Sequence, residues 1–545
     1  MATSSNDKDT KLEPSETSPS VQAVSVLDQE QSPNNNENVH KRPRFRLTFA
    51  ALSMMAMLVS FEGAAMSVAL PTIADSLNGT AIESFWFGTA YLLCATTFQP
   101  IFASLSDAFG RRKLVLTGIL FFLVGTIVGS VSTSASTMLV GRSLQGIGAG
   151  GMFTLVGVVI TDVVPLRERG LYFGIVAALV GFGAVAGPLA GGGFAESVTW
   201  RWIFYINFPF IALSALSFLL FMADQRPAGV REKAQSEQID LCGILLLIGS
   251  ITSFLLGLTW GGVNYPWKSY QTILPLVLGA LGLTVFGAYE HYWAKSPIVP
   301  PQLFRNRTTV ICYICVAIKG LVLFAVLYCL PIYFQAVKGY SPVHAGLALL
   351  PLLFSTGPAA VVTGLLINKV GHYRWAIWTG FPLLTTGIGL FCLLHRDTAV
   401  AAWVVILIVL GLGIGILFCS LLFGVQASVN PAHITMAVGM TSCMRCFGQA
   451  LGVALGGVII QNHMRHVLFA DPALAARADD YSRDTVGLVQ SIPSIPDVRL
   501  RHEVQDAYTE SLRIFWEVCC ALGGVGLLLS LLIRSYRLTS YGQEA

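Results

Sequence analysis

Four ionisable side chains sit where the chain offers them no water. Glu62, Arg142, Lys319 and Arg445 each lie inside a long apolar run. A charge in hydrocarbon costs several kcal/mol unless it finds a partner or a wet cavity, so such residues mark function by default. Glu62 stands nine residues before Pro71, which is about 13 Å in from the end of its run at 1.5 Å per residue. Arg142 is at a similar depth from the opposite direction. Desolvation disfavours the charged carboxylate and a nearby guanidinium favours it; the balance moves as water enters from one side or the other, as proton coupling requires. A permanently paired structural Glu–Arg is the plainer alternative. Lys319, about ten residues into its run, could attract an acidic or phenolic substrate, pair with Glu62, or simply face an aqueous cavity; Arg445 lies at comparable depth.

Two other patterns suggest chemistry and fail on context. Gly146, Gly148 and Gly151 have G-x-G-x-x-G spacing with Glu168 downstream, but no strand precedes them and an open sheet cannot cross lipid. Small residues there instead let neighbouring helices approach. Cys312/Cys315 and Cys443/Cys446 are C-x-x-C pairs inside apolar runs, without a second pair or a histidine at zinc spacing, and read as small packing residues; no metal or cofactor is expected.

The elements that must position these groups are membrane spans. The chain has 545 residues, 54% hydrophobic and 12% charged, about half the charge of a soluble domain. Fourteen runs of bilayer length lie between residues 47 and 533. Residues 1–45 read as a disordered cytosolic tail. Six of these spans lie in 46–222, two in 241–293 and six in 294–533, with 223–240 a cytosolic linker. An outside loop is expected at 462–511 and a second cytosolic tail at 534–545. Arg111, Arg112, Lys113, Arg167, Arg169, Arg226, Arg231, Lys233, Arg305, Arg307, Lys369 and Arg374 fall on one side. This asymmetry places both termini in the cytosol. Asn78 is then an outside glycosylation candidate, whereas the sequon at Asn306 falls inside.

Several stretches resemble the major facilitator superfamily. "RSLQGIGAGG" is similar to its motif B, whose arginine (Arg142 here) is implicated in proton coupling. "ASLSDAFGRRKL" resembles motif A, with Asp107, Gly110, Arg111 and Arg112 in register and Ala103 in place of the usual glycine. "GAVAGPLAGG" matches the antiporter signature through Gly183, Gly187, Pro188, Gly191 and Gly192. "FEGAAMSVALPTIA" resembles the acid-containing motif, with Glu62 where aspartate is usual. "WRWIFYINFP" is typical of the fourteen-span drug:proton antiporter branch, and "WGGVNYPW" with "YSPVHAGLALLP" looks like fungal toxin and multidrug efflux pumps.

The resemblance implies an all-α polytopic fold of two six-helix bundles plus two extra spans. It also implies proton-coupled export of small organic molecules across the cell membrane or the vacuolar membrane. Asp107, Gly110, Arg111 and Arg112, with Asp162 as a local partner, would then form a cytoplasmic gate, and Lys319 and Arg445 would border the substrate cavity. Trp86, Tyr91, Phe324, Tyr328 and Phe334 could line it. The expected partners are small molecules, protons and the bilayer, not nucleic acid. An uptake symporter is the nearest rival, and the GPxxGG segment argues against it. A membrane-embedded enzyme is more remote, because no G-x-S-x-G, H-E-x-x-H or G-x-x-x-x-G-K-[ST] occurs.

Overall fold

The computed structural model describes residues 43–77, 81–165, 168–222, 240–262, 265–294, 297–430, 433–470, 488–489, 492 and 495–536. Asn78, most of the linker 223–240 and most of both tails lie outside these residues. Thirteen of the described helices are long and apolar enough to cross a membrane. They are α1 (Pro43–Ser76), α3 (Arg111–Ser130), α4 (Ala135–Val163), α5 (Arg169–Ser197), α6 (Trp202–Phe221), α7 (Leu241–Trp260) and α8 (Tyr270–Tyr292), followed by α9 (Arg307–Ile332), α10 (Leu350–Val370), α11 (Arg374–Leu390), α12 (Val400–Ser428), α13 (Ile434–Ala470) and α14 (Val498–Leu531). The helix α2 (Ala81–Phe109), 29 residues long, packs among them as the fourteenth. With an even number of crossings, both ends of the described chain reach one side, here called the terminus face; the other is the far face.

Local signals start and stop these helices. Ser134 caps α4 in a reciprocal capping box with Thr137. Asp240 caps α7 through the Gly243 N–H at 2.8 Å. Asn306 caps α9 through Thr308, and its amide also donates to the Ser428 carbonyl at 2.8 Å. The sequon asparagine is therefore engaged in structure. Gly110, at φ 92°, makes the one-residue break between α2 and α3 that a side chain would strain.

The expected outside loop at 462–511 is shorter than its range. The helix α13 continues to Ala470 and α14 begins at Val498. Hydropathy marks where a helix leaves lipid, not where it ends; polar continuations such as "QNHMRHVLFA" stay helical.

The packing repeats. In the first half α1 lies on α5, α2 on α4 and α3 on α4; in the second, α9 lies on α13, α10 on α12 and α11 on α12. The halves meet along two seams, α5 against α10 and α2 against α13. The inserted pair α7–α8 stands outside the second seam, with α7 touching both α2 and α13.

Each half uses glycine to bring backbones together. A Cβ at Gly187 would stand 2.6 Å from the Phe61 carbonyl oxygen, and at Gly183 or Gly191 it would run into the carbonyls of Met57 and Ala65. The second half repeats the device: a Cβ at Gly448 or Gly452 on α13 would meet the carbonyls of Ala317 and Leu321 on α9. The G-x-G-x-x-G residues do the same inside α4, Gly146 against the Tyr91 carbonyl and Gly148 against that of Gly118, both at 2.5 Å.

Candidate functional site: a buried ion pair beside a cavity between the halves

Glu62 and Arg142 meet. Arg142 Nη1 is 2.6 Å from Glu62 Oε1, and both side chains are fully buried. Both reach this point because α1 and α4 cross the bundle in opposite directions and turn these residues toward each other. The pair is embedded in a network. Arg142 Nε donates to the Phe87 carbonyl at 3.0 Å and Nη1 to Gln145 Oε1 at 2.8 Å, while Gln145 donates to Thr126. Asn207 Nδ2, from the start of α6, donates to Glu62 Oε2 at 2.6 Å. Two polar atoms in this pocket, Arg142 Nη2 and Asn207 Oδ1, have no hydrogen-bond partner. Buried polar atoms are nearly always paired, so two orphans beside one ion pair set this cluster apart from ordinary packing.

The glycine-rich GPxxGG helix α5 is the wall behind this pair. Gly183, Gly187 and Gly191 of α5 contact Met57, Phe61 and Ala65, which bracket Glu62 on α1. Pro188 and Gly192 are buried in the same helix. Pro188 removes one backbone donor and so weakens the helix at the level of the acid.

A cavity of about 110 Å³ lies between the halves. Tyr91 separates it from the ion pair: its ring lines the cavity, its hydroxyl donates to the Val59 carbonyl at 2.8 Å, and the Arg142 guanidinium stacks on it at 4.4 Å. Lys319 and Arg445 line the cavity, and none of its lining residues is an aspartate or glutamate. Lys319 Nζ sits 4.7 Å from the Phe418 ring centroid and Arg445 Cζ 3.9 Å from that of Phe153. A smaller void of about 50 Å³ continues toward the terminus face, and the same two cations border it. They stand at the neck between the two spaces. The pairing of Lys319 with Glu62, one of the options left open by the sequence, is not made; Arg142 takes that place. Of the five aromatics expected at the cavity, Tyr91 and Phe324 line it. Tyr328 stacks on Phe324 without lining the cavity, Trp86 packs on Trp260, and Phe334 is buried against Trp403.

At the terminus face, Arg111 binds two carboxylates, Asp107 at 2.5 Å and Asp162 at 2.8 Å. Arg112 does not join them; its Nη2 donates to the Leu219 carbonyl of α6 at 2.6 Å. The five residues expected to form one gate therefore split into a three-member ion cluster, the helix tie of Arg112 and the turn at Gly110. Arg111→Ala is expected to lower the initial transport rate by about tenfold, a usual size for the coupling between sites. Arg112→Ala should leave it within about twofold, since a single partly exposed bond is lost. Rates in vesicles at matched protein amounts check both.

Two residues gain a place that the sequence did not single out. Asn207 was read only as part of "WRWIFYINFP", although an amide in so apolar a segment needs a partner. Arg169 was read as a basic loop residue. It is buried, donates to the Val164 and Thr161 carbonyls, and crosses to Gln426 Oε1 of α12 at 2.8 Å. The next residue, Gly170, lies against the backbone of Gly364 on α10. The Arg169–Gln426 bond, the Gly170–Gly364 backbone contact and a Cys419 thiol on the Gly170 carbonyl thus join the two halves at the terminus face.

Residues 52–453 match the family model described as the Major Facilitator Superfamily. The chain belongs to that superfamily. Its relatives within the superfamily include "MFS transporter L2" of a Phoma species, 41% identical over 96% of this chain and 88% of that one. "Efflux pump FUS6" of Gibberella fujikuroi is 37% identical over 91% and 90% respectively. Among solved structures, the human organic anion transporter MFSD10 covers 90% of this chain and all of its own, with a TM-score of 0.54 at 13% identity. At that identity the likeness speaks to the fold. This facilitator is a multi-pass membrane protein, with two six-helix bundles around the cavity and the pair α7–α8 added outside them.

Proposed function

We propose that this facilitator exports small apolar organic molecules carrying an acidic or phenolic group, driven by protons entering through Glu62. The observation that carries the reading is the division of charge. One half holds a buried carboxylate–guanidinium pair, and the other holds Lys319 and Arg445 at the neck of a cavity whose lining has no carboxylate. Apolar walls and rings accept a flat hydrophobic body, and two cations favour an anionic substituent. The names of the efflux-pump relatives support export. The basic loops support cytosolic termini, and the cell membrane is the site of action in this reading.

Alternating access then has a physical course. A proton on Glu62 removes its charge, so Arg142 loses the partner that holds α4 to α1. The glycine seam between α5 and α1 lets these helices shift, and the terminus-face contacts around Arg111 and Arg169 break or reform as the halves rock.

Inside-out vesicles with an imposed acid interior test this with a panel of aromatic acids and dyes. Native protein is expected to accumulate substrate in a manner that collapses with a protonophore, and Glu62→Gln is expected to lose the gradient-driven part. Accumulation that ignores the pH gradient sinks proton antiport. Preference for cationic over acidic substrates sinks the substrate class while leaving the coupling intact.

A further inference from the structure

A second, larger space lies away from the central cavity. It is a groove bounded by the inserted pair, by the α2–α13 seam and by the segment joining α8 to α9, with a volume of about 550 Å³. Its walls are Leu247 and Ile251 of α7, Leu283 and Phe286 of α8, and Met440 and Met444 of α13. Ile251 is ten residues into α7 from the terminus face, about 15 Å, so the groove is one leaflet deep.

Charge is confined to one end of it. Glu290, two residues before the end of α8, is buried at 4% exposure and lines the space. Its oxygens accept only long bonds from the backbone N–H groups of Ile298 (3.2 Å) and Val299 (3.4 Å). Asp240 adds to the negative potential. A Cβ on Gly243 would stand 2.5 Å from Asp240 Oδ2 and 3.1 Å from Glu290 Oε1, and that aspartate oxygen has no hydrogen-bond partner. Arg305 and His291 line the same end but are exposed, at its rim. Around that rim Tyr292, Trp293 and Phe304 are exposed, the placement of aromatic side chains at a headgroup layer.

An apolar groove one leaflet long, a buried carboxylate at headgroup level and a cation farther out match one class of occupant. We propose that the groove holds a phospholipid with a primary-amine headgroup, drawn from the leaflet on the terminus face. Its ammonium faces Glu290, its phosphate lies toward Arg305, and an acyl chain runs between α7, α8 and α13. Such a lipid would lie directly behind the α2–α13 seam, where Gln99 donates to Cys446. It would thereby support one of the two surfaces along which the halves meet. The proposal requires only that the protein sits in a bilayer, and is independent of the direction or coupling of transport.

The test is lipid retention by the purified full-length protein in detergent, read by native mass spectrometry. Dioleoyl phosphatidylethanolamine is titrated against the choline and glycerol analogues. A trimethylated headgroup has no N–H to donate and a glycerol headgroup no positive charge. The native protein is expected to keep one ethanolamine lipid about tenfold more tightly than either, as the loss of a charge-assisted hydrogen bond implies. Glu290→Gln should erase the preference. Gly287→Trp should expel the lipid altogether by filling the groove; a Cβ there meets nothing within 4 Å, so this variant is expected to fold. Equal retention of the three lipids by native protein overturns the proposal, as does a preference that survives Glu290→Gln. Displacement by soluble phosphoethanolamine at the lipid's own concentration overturns it too, because the acyl groove would then contribute nothing.

Discussion

Arg142→Ala is expected to be the most destabilising single change in the protein, with a loss of about 3–5 kcal/mol from removing one partner of a buried ion pair. Glu62 would be left with neutral amide donors, Asn207 and Gln145, in place of a guanidinium, at full burial. The Tyr91 ring would lose the guanidinium stacked on it, and the carbonyl of Phe87 its donor. A double variant, Glu62→Gln with Arg142→Leu, removes both charges and should recover most of that loss while remaining unable to use a proton gradient. Thermal unfolding in detergent, followed by transport in vesicles, separates the two effects. If the single variant melts with the native protein, water already hydrates Glu62 and the pair does not hold α1 to α4.

The second large effect concerns the seam behind the pair. Gly187→Val is expected to reduce transport at least twentyfold, because overpacking two backbones in contact costs about 1–3 kcal/mol or more and the wedge acts one residue from Glu62. The nearest atoms are main-chain, the Phe61 carbonyl at 2.6 Å and the Ala65 nitrogen at 2.8 Å, so no side chain can swing aside. Gly193→Ala, on the same helix with nothing within 4 Å of its Cβ, should transport within about twofold of native. Initial rates for the pair, normalised to protein in the membrane, make the comparison. Equal effects would mean that α5 tolerates volume anywhere and that the motif is not a contact surface.

Much of this was legible in the chain. Apolar runs of bilayer length place the spans, and Glu62, Arg142, Lys319 and Arg445 stand out because charge in lipid is costly. Which way a helix faces was harder to read. In a soluble protein the polar side of a helix points to water, but here lipid and interior are equally apolar, so periodicity does not reveal the packed face. That is why Lys319 could be assigned to Glu62 or to the cavity, and why Arg112 was grouped with Arg111 although consecutive residues point apart on α3. The bond from Arg169 to Gln426 spans 257 positions, and no local pattern encodes a partner so distant. Asn207 is the residue that could have been found: a lone amide in "IFYINFPF" has no reason to be there without something to bind.

The repeated packing has a consequence for how the two bundles can change over time. Both press their first and fifth helices together with glycine, yet the corresponding first helices carry unlike cargo, a carboxylate at Glu62 and an amine at Lys319. The duplicated scaffold has been divided between two jobs. A tandem of two first bundles would repeat the seam between first and fifth helices, but it would hold two acid–guanidinium pairs and leave the cavity without an amine. Neither bundle is a spare copy of the other, and a lesion in one cannot be complemented from within the same chain.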